Sequence, residues 1–306
     1  MKEYSIISTI PYSSERAVIV NVHTLLCTTL AILSVRRYMD MPLLVVDCPL
    51  NGESDAVALR KLQTDFDFDL ICLPLRHHGD TLDDLFLHIQ TDWLYLVDSD
   101  VEVLSGEALH MMRTMRQQSL IEEHRIFGVG MKQVAGYGLP PMEHTYHAER
   151  MWIPYCCLNV ELLRGEIEQG RSFNIVSKSN LSKTGGAIRR IRSKFCKFHW
   201  YNIGSIMDVC MNWFRKRYNE HSGHYIDETL YDTGALLFEV LSAKGLHYID
   251  WSFYAYSAYV THFCGVTRSA MYSNEPVAAQ ISDIEQTIRQ RLSEIYNFDY
   301  NGFYMI

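Results

Sequence analysis

The stretch Asp92-Trp93-Leu94-Tyr95-Leu96-Val97-Asp98-Ser99-Asp100 decides the fold. Trp93 to Val97 run apolar without alternation, so both faces of this segment are predicted to be buried, as in a parallel sheet covered by helices on both sides. The run stops abruptly at two aspartates one residue apart. Sheets of this kind bind ligands at the carboxyl ends of their strands.

Working outward, the preceding residues alternate strands with helices. Ala17 to His23 is a β-branched run of strand length, and Thr24 to Tyr38 has helical spacing at Leu26, Leu30 and Leu33, with Arg36 and Arg37 where cations suit the helix dipole. Pro42 to Asp47 reads as a second strand, Asp55 to Thr64 as a short helix, Phe68 to Leu73 as a third strand, and Leu82 to Gln90 as a helix. Strands spaced by helices in this way imply an α/β fold with a mostly parallel sheet flanked by helices. Asn21 with His23, Asp47, and Asp98 with Asp100 then fall at strand ends. Each also fits an ordinary turn.

After residue 105 the pattern loosens. Phe127 to Gly130 and Trp152 to Val160 look like strands. Asp232 to Gly245 reads as a helix that stops at a glycine. Tyr248 to Tyr259 is aromatic and strand-like. Ile284, Ile288, Leu292 and Ile295 mark an amphipathic C-terminal helix over Ser282 to Tyr296. The expected organisation is one catalytic domain over 1–270, with halves 1–104 and 105–270, followed by a helical C-terminal addition over 271–306.

Composition narrows the function. The chain has 306 residues, is 48% apolar and carries a net charge of −8. That is a globular composition, and its acidity argues against a nucleic-acid partner. Its eight cysteines include no CxxC pair, which suits a reducing compartment and disfavours a zinc ribbon. No apolar run reaches membrane-spanning length and the N-terminus does not read as a secretory signal, so a cytoplasmic protein is expected. The charge is unevenly spread. Residues 171–219 hold eleven Lys and Arg against the single acid Asp208, a local +10 that leaves −18 for the rest. Phe195, Phe198, Trp200, Trp213 and Phe214 interleave with those cations. Such a strip fits a peripheral contact with an anionic membrane face, an acidic acceptor, or a solvated surface.

The aspartate pair suits a hard cation. Mg²⁺ or Mn²⁺ takes one or two carboxylates together with substrate phosphates. An isolated DxD is common by chance, but here it ends the fourth strand of a strand–helix series. In that context Trp93 to Leu104 resembles the DxD segment of nucleotide-sugar-dependent glycosyltransferases of the GT-A fold, of the bacterial family-2 kind. The segment Asn21-Val22-His23-Thr24 resembles their first strand and turn, and Leu44 to Asp47 their second strand, whose terminal acid meets the nucleotide base. The resemblance covers 17–104 well and is partial beyond.

The resemblance implies a set of roles. Asp98 and Asp100 would bind the metal, with His262 in Tyr259 to Arg268 as a further ligand and Arg268 on the diphosphate. Asn21, His23, Asp47, Arg76, Asp98 and Ser99 would seat the nucleotide sugar. A carboxylate at a helix start would serve inverting members as general base. Asp232 is the first candidate, followed by Asp227 and Glu228. Asp232 fits an N-cap equally well. Trp152 and Tyr155 would stack on the acceptor, unless they are core residues. The activity implied is transfer of a sugar from a UDP- or GDP-sugar to a glycan, lipid-linked or other hydroxyl acceptor, at the inner membrane face if the basic strip docks there, with a homodimer allowed. Two alternatives stay open. One is a sugar-phosphate nucleotidyltransferase, disfavoured because Thr24 to Thr29 replaces the glycine-rich basic loop such enzymes carry after strand one. The other is a non-catalytic module that binds partners through an exposed Ile face of the C-terminal helix.

Overall fold

A computed structural model describes residues 4–50, 52–121, 125–137, 145–179, 228–263 and 275–304. Most of the basic strip, Asp227, and residues 264–274, Arg268 among them, lie outside them.

The central sheet has seven strands: β1 (Ser13–Asn21), β2 (Leu43–Asp47), β3 (Asp69–Cys72), β4 (Thr91–Asp98), β6 (Ile126–Gln133), β9 (Arg150–Asn159) and β12 (His247–Asp250). They lie in the order β12-β6-β9-β4-β1-β2-β3. β1, β2, β3 and β4 are mutually parallel, β12 runs parallel to β6, and β9 is antiparallel to both of its neighbours. The α/β class with a mostly parallel, helix-flanked sheet is therefore the fold, with helical additions at the C-terminal end.

Side-chain alternation explains why the strands read as continuous apolar runs. Ala17, Ile19, Leu43, Val45, Tyr95 and Val97 point into one core, with helices α1 (Leu25–Tyr38), α2 (Ala56–Asp65) and α4 (Glu107–Ile121) and the C-terminal helix Glu275–Tyr296. Val18, Leu44, Val46, Leu94 and Leu96 point into the other, with α3 (His78–His88), α5 (Val160–Glu168) and the helix Ala235–Ala243. A period of two with both phases buried leaves no polar face to show.

Two glycines on β6 set the spacing to β9. A Cβ on Gly128 would stand 2.8 Å from the Cys157 carbonyl oxygen, which is backbone and cannot swing aside. Gly128→Ala is expected to cost about 1–3 kcal/mol through overpacking, read as a lower urea midpoint with an unchanged slope. An unaltered midpoint would show that the strands part without strain.

The structure departs from the sequence expectations at three places. The aromatic stretch expected as one strand is β12 followed by a helix, Phe253–Tyr259. Trp251 and Tyr256 close on Tyr155 there, with ring centroids 5.7 and 6.4 Å from it. The helix expected from Asp232 starts three residues later, capped by Gly234 at φ +78°, a backbone only glycine adopts freely. Finally, the Ile face of the C-terminal helix is not exposed. Ile288 and Leu292 are fully buried in the core they share with α1, and each contributes roughly 1.5–3 kcal/mol of burial. The partner-binding alternative loses the surface it needed.

A short ribbon joins distant parts of the chain. β5 (Val101–Val103) pairs antiparallel with β13 (Val260–His262), with Val101 opposite His262. A four-stranded sheet, β10 (Val176–Ser179), β11 (Glu228–Tyr231), β8 (Thr145–His147) and β7 (Gly136–Tyr137), stands apart from the central one.

Candidate active site

The strand order reverses direction between β1 and β4, which makes their carboxyl ends the crevice where such a sheet takes ligands. Asn21 closes β1 and Asp98 closes β4. The aspartates turn off β4 directly into β5. Because β5 pairs with β13, the backbone N–H of Phe263 donates to the Asp100 carbonyl at 2.8 Å. This pairing carries His262 across 162 positions of sequence, with its Nε2 3.1 Å from Asp100 Oδ1. One ligand atom each from Asp98, Asp100 and His262 lies within 4.8 Å of the other two.

The donor set fits a divalent cation. Two carboxylates and an imidazole converge, and the local charge balance is short of positive charge. Burial pushes the Asp98 carboxyl up from its ordinary range; His78 opposes that, Asp100 adds to it, and His262 and Arg150 pull it down. A bound dication would supply the missing compensation. Among the described residues this is the one such cluster of three. Trp152 meets the His262 ring edge-on at 6.0 Å and so buttresses the imidazole.

The strand-end residues on the β1 side form a support. Asn21 Nδ2 donates to Asp47 Oδ1 at 2.7 Å and to Asp55 Oδ2 at 2.9 Å, and Thr28 Oγ1 donates to Asn21 Oδ1 at 2.7 Å. Ser54 Oγ takes the other Asp47 oxygen at 2.6 Å, and Thr24 Oγ1 reaches Ser99 Oγ at 3.1 Å. Asn21 and Asp47 are fully buried. They shape the turn, while His23 is exposed to solvent. His23 holds φ +49°, rare outside glycine, with its ring between Glu53 at 3.4 Å and Asp55 at 3.5 Å.

The other expected site residues fall in different places. Arg76, two residues before α3, pairs with Asp84 of that helix. Tyr155 is fully buried and stacks on Trp251, so the expectation that it meets an acceptor is corrected: its ring is part of the core. Glu228 opens β11. Asp232 lies just past β11, where Thr233 N donates to its Oδ1 and Arg150 pairs with its Oδ2, each at 2.8 Å. It therefore holds the turn before the helix and does not cap the helix itself.

Sequence reasoning missed two residues here. His78 opens α3 and Arg150 opens β9, and both act electrostatically on Asp98. His78 stands two residues beyond Arg76, at the first position of α3. Arg150 carried no local signal, because its meaning depends on β9 running antiparallel beside β4.

No protein family's sequence profile matches the chain, and no curated protein matches it. Among solved structures it is similar to 4-diphosphocytidyl-2C-methyl-D-erythritol synthase from Anaerococcus prevotii, at 10% identity over 51% of this chain and 74% of that one, TM-score 0.35. It is also similar to S. aureus TarS in complex with UDP-GlcNAc, at 14% identity over 51% and 48%, TM-score 0.34. A third is the glycosyltransferase GlyE of Streptococcus pneumoniae, at 12% identity over 52% and 37%, TM-score 0.33. The chain thus spans about half or less of the two latter proteins. No helix among the described residues is long and apolar enough to cross a membrane.

Proposed function

We propose that this chain is a metal-dependent glycosyltransferase that moves a sugar from a nucleoside-diphosphate donor to a hydroxyl acceptor on a glycan or lipid-linked molecule, in polysaccharide or glycoconjugate synthesis. The observation that carries the reading is the convergence of Asp98, Asp100 and His262 at the carboxyl end of the strand next to the sheet's reversal point. Those three residues would hold Mn²⁺ or Mg²⁺. When bound, such an ion offsets the negative charge that develops on a departing diphosphate.

The remaining roles belong to the chain's own groups. The Asn21–Asp47–Ser54 network fixes the turn that presents His23 to the nucleotide. Asp232 accepts the proton of the acceptor hydroxyl as its oxygen attacks the anomeric carbon. Arg150 orients that carboxylate, holding one oxygen at 2.8 Å. Arg268 on the diphosphate, and Asp227 and Glu228 as alternative bases, complete the proposal.

The direct test is thermal melting with UDP or GDP, with and without Mn²⁺. Ligand at a hundred times its dissociation constant adds about 2.7 kcal/mol, or about 5 °C for a chain of this size. The shift is expected only with metal and nucleotide together. No shift with either nucleotide would sink the reading. Turnover of a nucleoside triphosphate with a sugar phosphate would replace it with the nucleotidyltransferase.

A further inference from the structure

The small four-stranded sheet carries an aromatic face that the chemistry above does not use. Register places Lys178 opposite Thr229, Thr229 opposite Tyr146, and Tyr146 opposite Tyr137, so these four residues form one row across a single face. Ring contacts agree. Tyr137 and Tyr146 meet edge to face at 5.2 Å, and Lys178 Nζ lies 4.3 Å above the ring of Tyr231, two residues along from Thr229. Yet Tyr137 is 63% exposed and Tyr146 36%. Val134 and Ile175, which enter β7 and β10, are exposed as well. Outside this sheet the exposed large apolar side chains among the described residues are Ile6, Tyr12 and Val57, which share no sheet face with one another.

The sheet is also continuous with the candidate site. β8 and β11 run parallel, and the ion pair Arg150–Asp232 lies just beyond their ends. Thr229 stands three residues before Asp232, about 10 Å of extended chain, which is the span of one or two sugar rings. A tyrosine pair rimmed by a lysine and a threonine suits a ligand with apolar ring faces and polar edges, which describes a carbohydrate.

We infer that this face, through Tyr137 and Tyr146, is the platform on which an oligosaccharide acceptor stacks, with its terminal hydroxyl directed to Asp232. The platform rests on the glycosyltransferase reading and supplies the acceptor class that Tyr155, being buried, does not. The experiment uses the full chain on an array of immobilised hexose and N-acetylhexosamine oligosaccharides. Wild type is expected to be retained by at least one glycan. Tyr137→Ala and Tyr146→Ala are each expected to bind that glycan roughly tenfold more weakly, and Tyr137→Trp to bind it as wild type does. Tyr12→Ala, at the opposite end of the central sheet, is expected to change nothing. The melting shift with UDP and Mn²⁺ is measured on every variant. A wild-type shift without retention on any glycan overturns the platform and leaves the transferase reading standing, whereas loss of the wild-type shift overturns that reading itself. Equal retention of the wild type and both alanine variants also overturns the platform. So does concentration-dependent self-association of the wild type that Tyr137→Ala abolishes, because the face would then be a contact between copies.

Discussion

Asp100→Asn is expected to lower Mn²⁺-dependent release of nucleoside diphosphate from a donor sugar by about 10²–10³, the loss typical of removing one group that stabilises developing charge. Asparagine keeps the side-chain volume, and the backbone carbonyl that receives Phe263 N–H is untouched. The β5–β13 ribbon should therefore persist and the fold with it. Stability gives a second readout. Without metal, Asp98 and Asp100 repel one another in a partly buried place, and Asp100 helps to push the Asp98 carboxyl up. Removing one negative charge relieves that repulsion, so the metal-free variant should melt no lower than wild type while losing the rise that Mn²⁺ produces. His262→Ala should lose less than Asp100→Asn, because the two carboxylates remain. Wild-type activity in Asp100→Asn, still dependent on Mn²⁺, would overturn the assignment of this residue.

The second large effect concerns a buried charge. Glu102 is fully buried on β5, two residues past Asp100. Its Oε1 accepts from Arg291 at 3.0 Å and from Tyr296 at 2.9 Å, and Arg291 Nε takes its other oxygen. Arg291→Met leaves that carboxylate inside the protein without its cation. The expected cost is about 3–5 kcal/mol in urea unfolding. Replacing both partners by methionine should recover most of it, since a neutral pair of similar volume has no desolvation debt. If the single and double variants unfold alike, the pair contributes by packing and not by charge.

These expectations rest on features of unequal legibility. The first four strands could be read directly, because apolar side chains fill both faces and turn residues mark each end. The aspartate pair was visible for the same reason, since a run as apolar as Trp93–Val97 makes the polar residues that follow conspicuous. Other elements were hidden because tertiary contacts decide them. Tyr248 to Tyr259 has strand-like composition throughout, but only its first three residues pair with β6; the rest coils to pack Trp251 and Tyr256 on Tyr155. The helix after β11 begins only past Gly234, whose left-handed backbone makes the turn that Asp232 does not supply. His262 could be proposed from resemblance alone. Its physical basis, a three-residue ribbon closing a gap of 162 positions, has no trace in local spacing. Arg150 and His78 gain their roles from neighbours brought in by the sheet.

The C-terminal helix has a practical consequence for handling this chain in pieces. A fragment ending near residue 270 would retain every proposed metal ligand and look self-sufficient. It would also contain Glu102 stripped of Arg291 and Tyr296, and α1 stripped of Ile288 and Leu292. The lost cover lies over the strand that holds the aspartates in register with His262. Such a fragment should be insoluble or metal-blind, and its failure would say nothing about the chemistry of the intact protein.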